Sequence, residues 1–179
     1  MPYEEIICAG FGGQGVTLMG TLLVYAGMRE GKNVVGIPSY GAEMRGGTAN
    51  YSVILSDDEI TSPLIFNPTT CIVMNQPSLC KFEKRLQSGG TLVVNSSMAK
   101  RDGGRVDISV FEVPASRLAD ELGNIRCANM VILGSYVRRN GIVDIHSLIA
   151  SLRDVLPRRH HNLLKMNEKA LRVGYEFRC

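Results

Sequence analysis

Two short glycine-rich stretches carry the residue types that could do chemistry in this chain. The first is GFGGQG at residues 10–15, with Gly10, Gly12 and Gly15 at the spacing G-x-G-x-x-G. It stands between a strand-like run, EEIICA, and a helix-like one, VTLMGTLLVYAGM. A turn of this kind brings the unpaired N–H groups of a helix N-terminus to an open surface. A phosphate or carboxylate is stabilised there by the helix dipole and by direct N–H hydrogen bonds. Gly12 and Gly13 would let an anion approach the main chain with no Cβ in the way. Gly12, Gly13, Gln14 and Gly15 are therefore the candidate cofactor-binding residues. The same spacing belongs to dinucleotide-binding turns, which need an acid at the end of the next strand to hold the ribose hydroxyls. That position reads Gly36-Ile37-Pro38-Ser39-Tyr40 and holds no acid. No Gly-Lys-Ser/Thr follows either, as a P-loop requires. Three readings stand: a phosphate-bearing ligand, a nicotinamide-dependent reductase, or a turn that only lets strand and helix pack closely.

The second stretch is SYGAEMRGG at residues 39–47. Tyr40, Glu43 and Arg45 are poor core material. Arg45 offers a rigid fork for carboxylate or phosphate, Glu43 can pair with it and orient it, and Tyr40 can stack or donate a hydrogen bond. The plainer reading is a solvated turn with a surface ion pair worth under about 1 kcal/mol. Ligands in open α/β sheets gather beyond the carboxyl ends of strands, and both loops follow strands, so the two are expected to converge.

The elements that must position these loops are legible in the pattern. Glu4–Ala9 reads as a buried strand, Val16–Arg29 as a helix with Leu18, Leu22, Leu23 and Ala26 on one stripe, and Asn33–Ile37 as a strand stopped by Pro38. Thr48–Leu55 alternates, with Ala49, Tyr51, Val53 and Leu55 on one side. Cys71–Met74, Thr91–Asn95 and Val106–Val113 read as further strands. Ser78–Leu86, Ala115–Leu122, Ala128–Arg139, Ile145–Leu156 and Leu163–Phe177 read as helices. This alternation predicts one α/β domain over residues 1–179, a three-layer α/β/α fold with helices on both faces of the sheet. The Thr48 strand follows its predecessor too closely for a helical crossover, so the sheet is expected to be mixed and mostly parallel.

Composition excludes several classes. Apolar residues make up 45% and charged residues 21%, as in soluble globular proteins. A net charge of +3 is too small for a nucleic-acid-binding face. The longest apolar stretch, near Val16–Met28, is too short to span a bilayer, and Met1–Glu5 leads into a strand with no basic leader. The five cysteines, Cys8, Cys71, Cys80, Cys127 and Cys179, form no C-x-x-C pair. They suit free thiols in a reducing cytoplasm, with Cys8 and Cys71 as small core residues. No iron–sulfur or zinc motif is written here.

Other polar groups leave their readings open. Asn129 is expected to cap the helix that starts beside it, or else to face the loop surface. Asn50 and Asn75-Gln76 lie at strand positions or ends and could reach a ligand. Arg158-Arg159-His160-His161 reads as a solvated helix start that could also dock an acidic subunit or phosphates. His160 and His161, being adjacent, point to different helix faces and make poor joint metal ligands. His146, His160 and His161 form no recognisable triad with a carboxylate and a nucleophile, so no catalytic residue is assigned.

Taken together, GFGGQGV and PSYGAEMRGGTANYSVILSD resemble the gamma subunit of the 2-oxoacid:ferredoxin oxidoreductases, with the later CANMVILGSY segment in keeping. The resemblance covers essentially the whole chain, and AEMRGGTAN looks closest to the 2-oxoglutarate and branched-chain types. It implies a cytoplasmic complex that decarboxylates a 2-oxoacid, joins the acyl group to coenzyme A and reduces ferredoxin. Thiamine diphosphate and magnesium would lie on alpha and beta subunits, and iron–sulfur clusters on beta or a delta subunit. This chain would carry none of these itself. It would shape coenzyme A access through Gly12, Gly13, Gln14 and Gly15, and meet its partners through Tyr40, Glu43, Arg45 and Asn50. Isolated, it could hide that surface by forming a homodimer.

Overall fold

The computed structural model describes residues 3–40 and 48–178. Six strands form one sheet: β1 (Tyr3–Phe11), β2 (Asn33–Tyr40), β3 (Thr48–Ser56), β4 (Thr70–Val73), β5 (Thr91–Asn95) and β6 (Ser109–Val113). Their order across the sheet is β2-β3-β1-β4-β5-β6. β1, β4, β5 and β6 are parallel, and β3 is antiparallel to both β1 and β2. The sheet is therefore mixed with a single reversed strand, as the short connection before Thr48 predicts.

Among the described residues six α-helices cover it: α1 (Val16–Arg29), α2 (Gln76–Phe82), α3 (Ala115–Glu121), α4 (Ala128–Asn140), α5 (Ile145–Val155) and α6 (Leu164–Glu176). The layers are unequal. One core joins α1, α3, α4, α5 and α6 to one face of the sheet, with Met19, Leu22, Leu23, Val131, Ile132 and Leu171 fully buried in it. The other face carries α2, whose Leu79 and Phe82 pack on Ile7, Ala9, Cys71 and Leu92. A central strand covered on both faces must be apolar on both, and Ile6–Gly10 of β1 is one unbroken buried run. Helices α4 and α6 cross closely at two glycines. A Cβ on Gly134 would overlap the Leu171 carbonyl, and one on Gly174 the Val131 carbonyl.

Several boundaries differ from the sequence expectation. β2 does not stop at Pro38 but runs on to Tyr40. It is an edge strand, where a residue lacking an N–H need not interrupt the ladder. α2 begins two residues before Ser78 because Asn75 caps it, its side chain accepting the Ser78 N–H at 2.9 Å; a 3-10 turn, Glu83–Arg85, finishes it. β6 starts at Ser109 rather than Val106, which is fully exposed ahead of the strand. Arg158–Leu163 is a 3-10 helix, and α6 follows from Leu164.

Candidate functional site

The glycine turn sits where β1 hands over to α1. The Gln14 N–H donates to the Phe11 carbonyl at 3.1 Å and closes it. Gly13 (φ +99°) and Gly15 (φ +74°) hold left-handed backbone that a residue with a Cβ adopts only under strain. Gly15 is the N-cap of α1, with no side chain capping the helix, and its carbonyl accepts the Met19 N–H at 3.1 Å.

The Gln14 side chain turns inward and fastens the turn. Its Oε1 accepts the Phe11 N–H at 2.7 Å and the Asn75 amide at 2.8 Å, and its Nε2 donates to the Met74 carbonyl at 3.4 Å. Gln14 therefore spends both its main-chain N–H and its amide on structure, unlike the glycines beside it. Asn129 supports the turn from the other side. It is 4% exposed, accepts the Met130 N–H at 3.0 Å and donates to the Gly15 carbonyl at 3.3 Å. Of the two readings of Asn129, the cap on α4 is corrected, since the N-cap is Cys127, and the loop-facing one fits, since the Asn129 amide reaches the glycine turn 114 residues back.

The glycines divide by what a side chain would meet. A Cβ on Gly10 would come 2.7 Å from Gln14 Oε1 and 3.1 Å from Met74, and one on Gly15 would overlap the Asn129 amide. Beside Gly12 and Gly13 there is open space. That space is a cleft of about 460 Å³, walled by main chain at Gly12, Gly13 and Gly15 and by Leu18, Thr21 and Val155. Leu18 also lines a neighbouring cavity of about 400 Å³ that reaches Asn129, Arg126 and His160. The arrangement combines main-chain donors at a helix start, an apolar wall and a basic extension. Chemically it suits an elongated ligand with both an anionic and an apolar part.

The second loop is anchored beside the first. Tyr40 ends β2 opposite Ala49, and Thr48 opens β3 opposite Phe11, so the chain re-enters the sheet at the rim of the glycine turn, one strand over from where it left. Glu43 and Arg45 lie outside the described residues. Asn50 is half-buried on β3, opposite Ala9 and Ser39. Ala9 belongs to the core under α2, so Asn50 points to that face and away from the cleft, which Ala49 lines. Asn75 also falls outside the cleft, as the clamp on Gln14. A sequence signal existed for it, since Asn immediately before Gln-Pro is a common helix start.

The dinucleotide alternative gains no support from the topology. In a dinucleotide fold the acid-bearing strand lies next to β1. Here β3 separates β2 from β1, placing the end of β2 two strand spacings, or about 10 Å, from the turn. Cys8 is fully buried on β1, and burial pushes its thiol up to about 12, so it stays protonated core material. Among the described residues no three His, Cys, Asp or Glu side chains gather as metal ligands, and no helix is long and apolar enough to cross a membrane.

Comparison with known proteins places this architecture. The family model for pyruvate ferredoxin/flavodoxin oxidoreductase matches residues 5–177. The chain is 39% identical over 133 residues to ketoisovalerate oxidoreductase subunit VorA of Methanothermobacter thermautotrophicus, which covers 74% of this chain but 28% of that longer relative. It is 35% identical over 161 residues to 2-oxoglutarate synthase subunit KorC of Methanothermobacter marburgensis, covering 86% of this chain and 87% of the relative. A solved keto/oxoacid ferredoxin oxidoreductase gamma subunit from Geobacter sulfurreducens superposes with a TM-score of 0.82 at 28% identity, over 97% of this chain and 96% of that one. The chain thus belongs to the pyruvate ferredoxin/flavodoxin oxidoreductase family, as a gamma subunit of the 2-oxoacid:ferredoxin oxidoreductases.

Proposed function

We propose that this chain serves a thiamine-diphosphate-dependent complex that oxidises 2-oxoglutarate, joins the succinyl group to coenzyme A and reduces ferredoxin. Its own part is to shape coenzyme A access and to hold the assembly together, with no reacting group supplied. The carrying observation is the open cleft at Gly12 and Gly13, set on the N-terminus of a 14-residue helix. A phosphate there gains main-chain hydrogen bonds and about 0.3–1 kcal/mol from the helix dipole. The wall of Leu18 and Val155 suits the pantetheine arm. The adjoining cavity with Arg126 and His160 suits the remaining phosphate charge.

Partner subunits would carry thiamine diphosphate, magnesium and the iron–sulfur clusters. They would meet this chain through the second loop, with Tyr40, Glu43 and Arg45, and through the α2-side face of β2 and β3. On that face Ile37 is 38% exposed beside Ser39, Asn50 and Ser52. The helix of this face, α2, packs chiefly on β1 and β4. The choice of 2-oxoglutarate rests on the likeness to the KorC relative, which matches over most of both chains.

The reading is tested by isolating the native complex through this chain. Thiamine-diphosphate-binding subunits are expected to co-purify, and the complex is expected to reduce ferredoxin with 2-oxoglutarate only when coenzyme A is present. A chain that brings no thiamine-diphosphate protein with it would overturn the assignment of partners. A complex that prefers a branched-chain 2-oxoacid would overturn the substrate alone.

A further inference from the structure

At the far end of α4 from the glycine turn, a separate cavity of about 280 Å³ opens beside β6. Its floor is Val93 of β5, Phe111 of β6 and Ser135 of α4. Val93 is 1% and Ser135 9% exposed. Around it stand Arg138, Arg139 and Arg178, with Phe177 between the two helix ends. Arg29, Arg101, Arg105, Arg117 and Arg172 each pair with a carboxylate. Arg126, Arg153, Arg158 and Arg159 stand in no such pair among the described residues, and what sets Arg138, Arg139 and Arg178 apart is that all three line one cavity.

Two of these guanidinium groups are held by aromatic rings instead. Arg139 stacks 3.6 Å from the Phe111 centroid, and Arg138 lies 5.2 Å from that of Tyr175. Stacking fixes the plane of a guanidinium while leaving its N–H edge free, the state in which it receives a carboxylate with both oxygens. The C-terminal dipole of α4 accounts for basic residues in its last turn. It does not account for Arg178, which arrives from beyond α6, nor for the Ser135 hydroxyl, which bonds to no described residue. Three like charges around one cavity repel each other unless an anion joins them.

We propose that this cavity binds a small organic carboxylate, its acid group on Arg139 and the neighbouring guanidinium groups and its apolar part against Val93, Phe111 and Phe177. The volume is near the lower limit of about 300 Å³ for ligand pockets, which suits a short acid and is too small for a nucleotide. The site is independent of the cleft at Gly12.

The full chain labelled with ¹⁵N is titrated with isovalerate, and separately with inorganic phosphate. Isovalerate is expected to give saturable shifts at the amides of Val93, Phe111 and Ser135. Arg139→Gln is expected to weaken it about tenfold, as loss of one charge-assisted pair implies. Arg172→Gln, which removes an equal charge from an exposed ion pair on α6, should leave it unchanged. Should Arg139→Gln fail to fold, Arg178→Gln at an exposed site is expected to weaken binding in the same way. Absence of shifts at those amides, shifts indifferent to the arginine variants, or phosphate binding as tightly as isovalerate would each overturn the proposal.

Discussion

Glycines meet opposite surroundings at two places in this fold. At the crossing of α4 and α6, Gly134 and Gly174 each face the main chain of the other helix, and a Cβ would overlap a carbonyl oxygen. At the start of α1, Gly12 and Gly13 face open space. The first pair brings two helices together; the second leaves the main chain open to approach. Within the G-x-G-x-x-G frame itself the same division recurs. Gly10 and Gly15 are held by Gln14 and Asn129, while Gly12 is held by nothing. A glycine motif therefore cannot be read as a unit: each position has to be asked what a side chain would strike.

That contrast can be broken or sharpened by substitution. The largest effect is expected from Gly174→Val. Neither the helix backbone nor the Val131 carbonyl can give way cheaply, so the loss should reach about 3 kcal/mol or more and abolish the soluble fold. Soluble yield and thermal melting report it. Next comes Gly15→Ala, which adds left-handed backbone strain of about 1–2 kcal/mol to displacement of the Asn129 amide. If the displaced amide matters, Asn129→Ala should recover part of the loss in a double-mutant cycle measured by urea unfolding. Strict additivity would remove Asn129 from the account.

Gln14→Ala is expected to cost about 1–3 kcal/mol, since it leaves the Phe11 N–H and the Asn75 amide without their acceptor. Loss of amide protection at Phe11 in hydrogen exchange would localise the effect to the turn. The smallest change in stability, within about 0.5 kcal/mol, is expected from Gly12→Leu, where the backbone is unstrained and the space is empty.

Much of this was legible in the sequence, for local reasons. α1 falls at Val16–Arg29 and β5 at Thr91–Asn95, as the pattern predicts, because glycines flank α1 around a periodic interior, while Gly89-Gly90 and Ser96-Ser97 bound the apolar run of β5. The end of β2 was not legible. Pro38 reads as a stop, and only its place at the sheet edge makes it tolerable. The reversed strand was foreseen from the short loop, but nothing local says that it inserts between β1 and β2. Asn129 misled for a related reason: its type suits a cap, while its partner, Gly15, is 114 residues away. No spacing joins Arg139 to Arg178, so the arginine cavity exists only once α6 has folded back on α4. The convergence of the two loops is an expectation drawn from both following strands; Thr48 returns the chain beside Phe11, residues 41–47 lie outside the described residues, and Asn50 proves to point to the other face.

The account rests most heavily on Gly12 being open for a ligand's sake. The direct measurement is the KM for coenzyme A of the assembled complex carrying Gly12→Leu, beside its melting temperature. The account predicts an unchanged melting temperature, an unchanged KM for the 2-oxoacid and a KM for coenzyme A raised about tenfold or more, the size of one lost close contact of about 1.4 kcal/mol. An intact complex whose KM for coenzyme A equals that of the parent would contradict it, leaving the turn as a packing device alone.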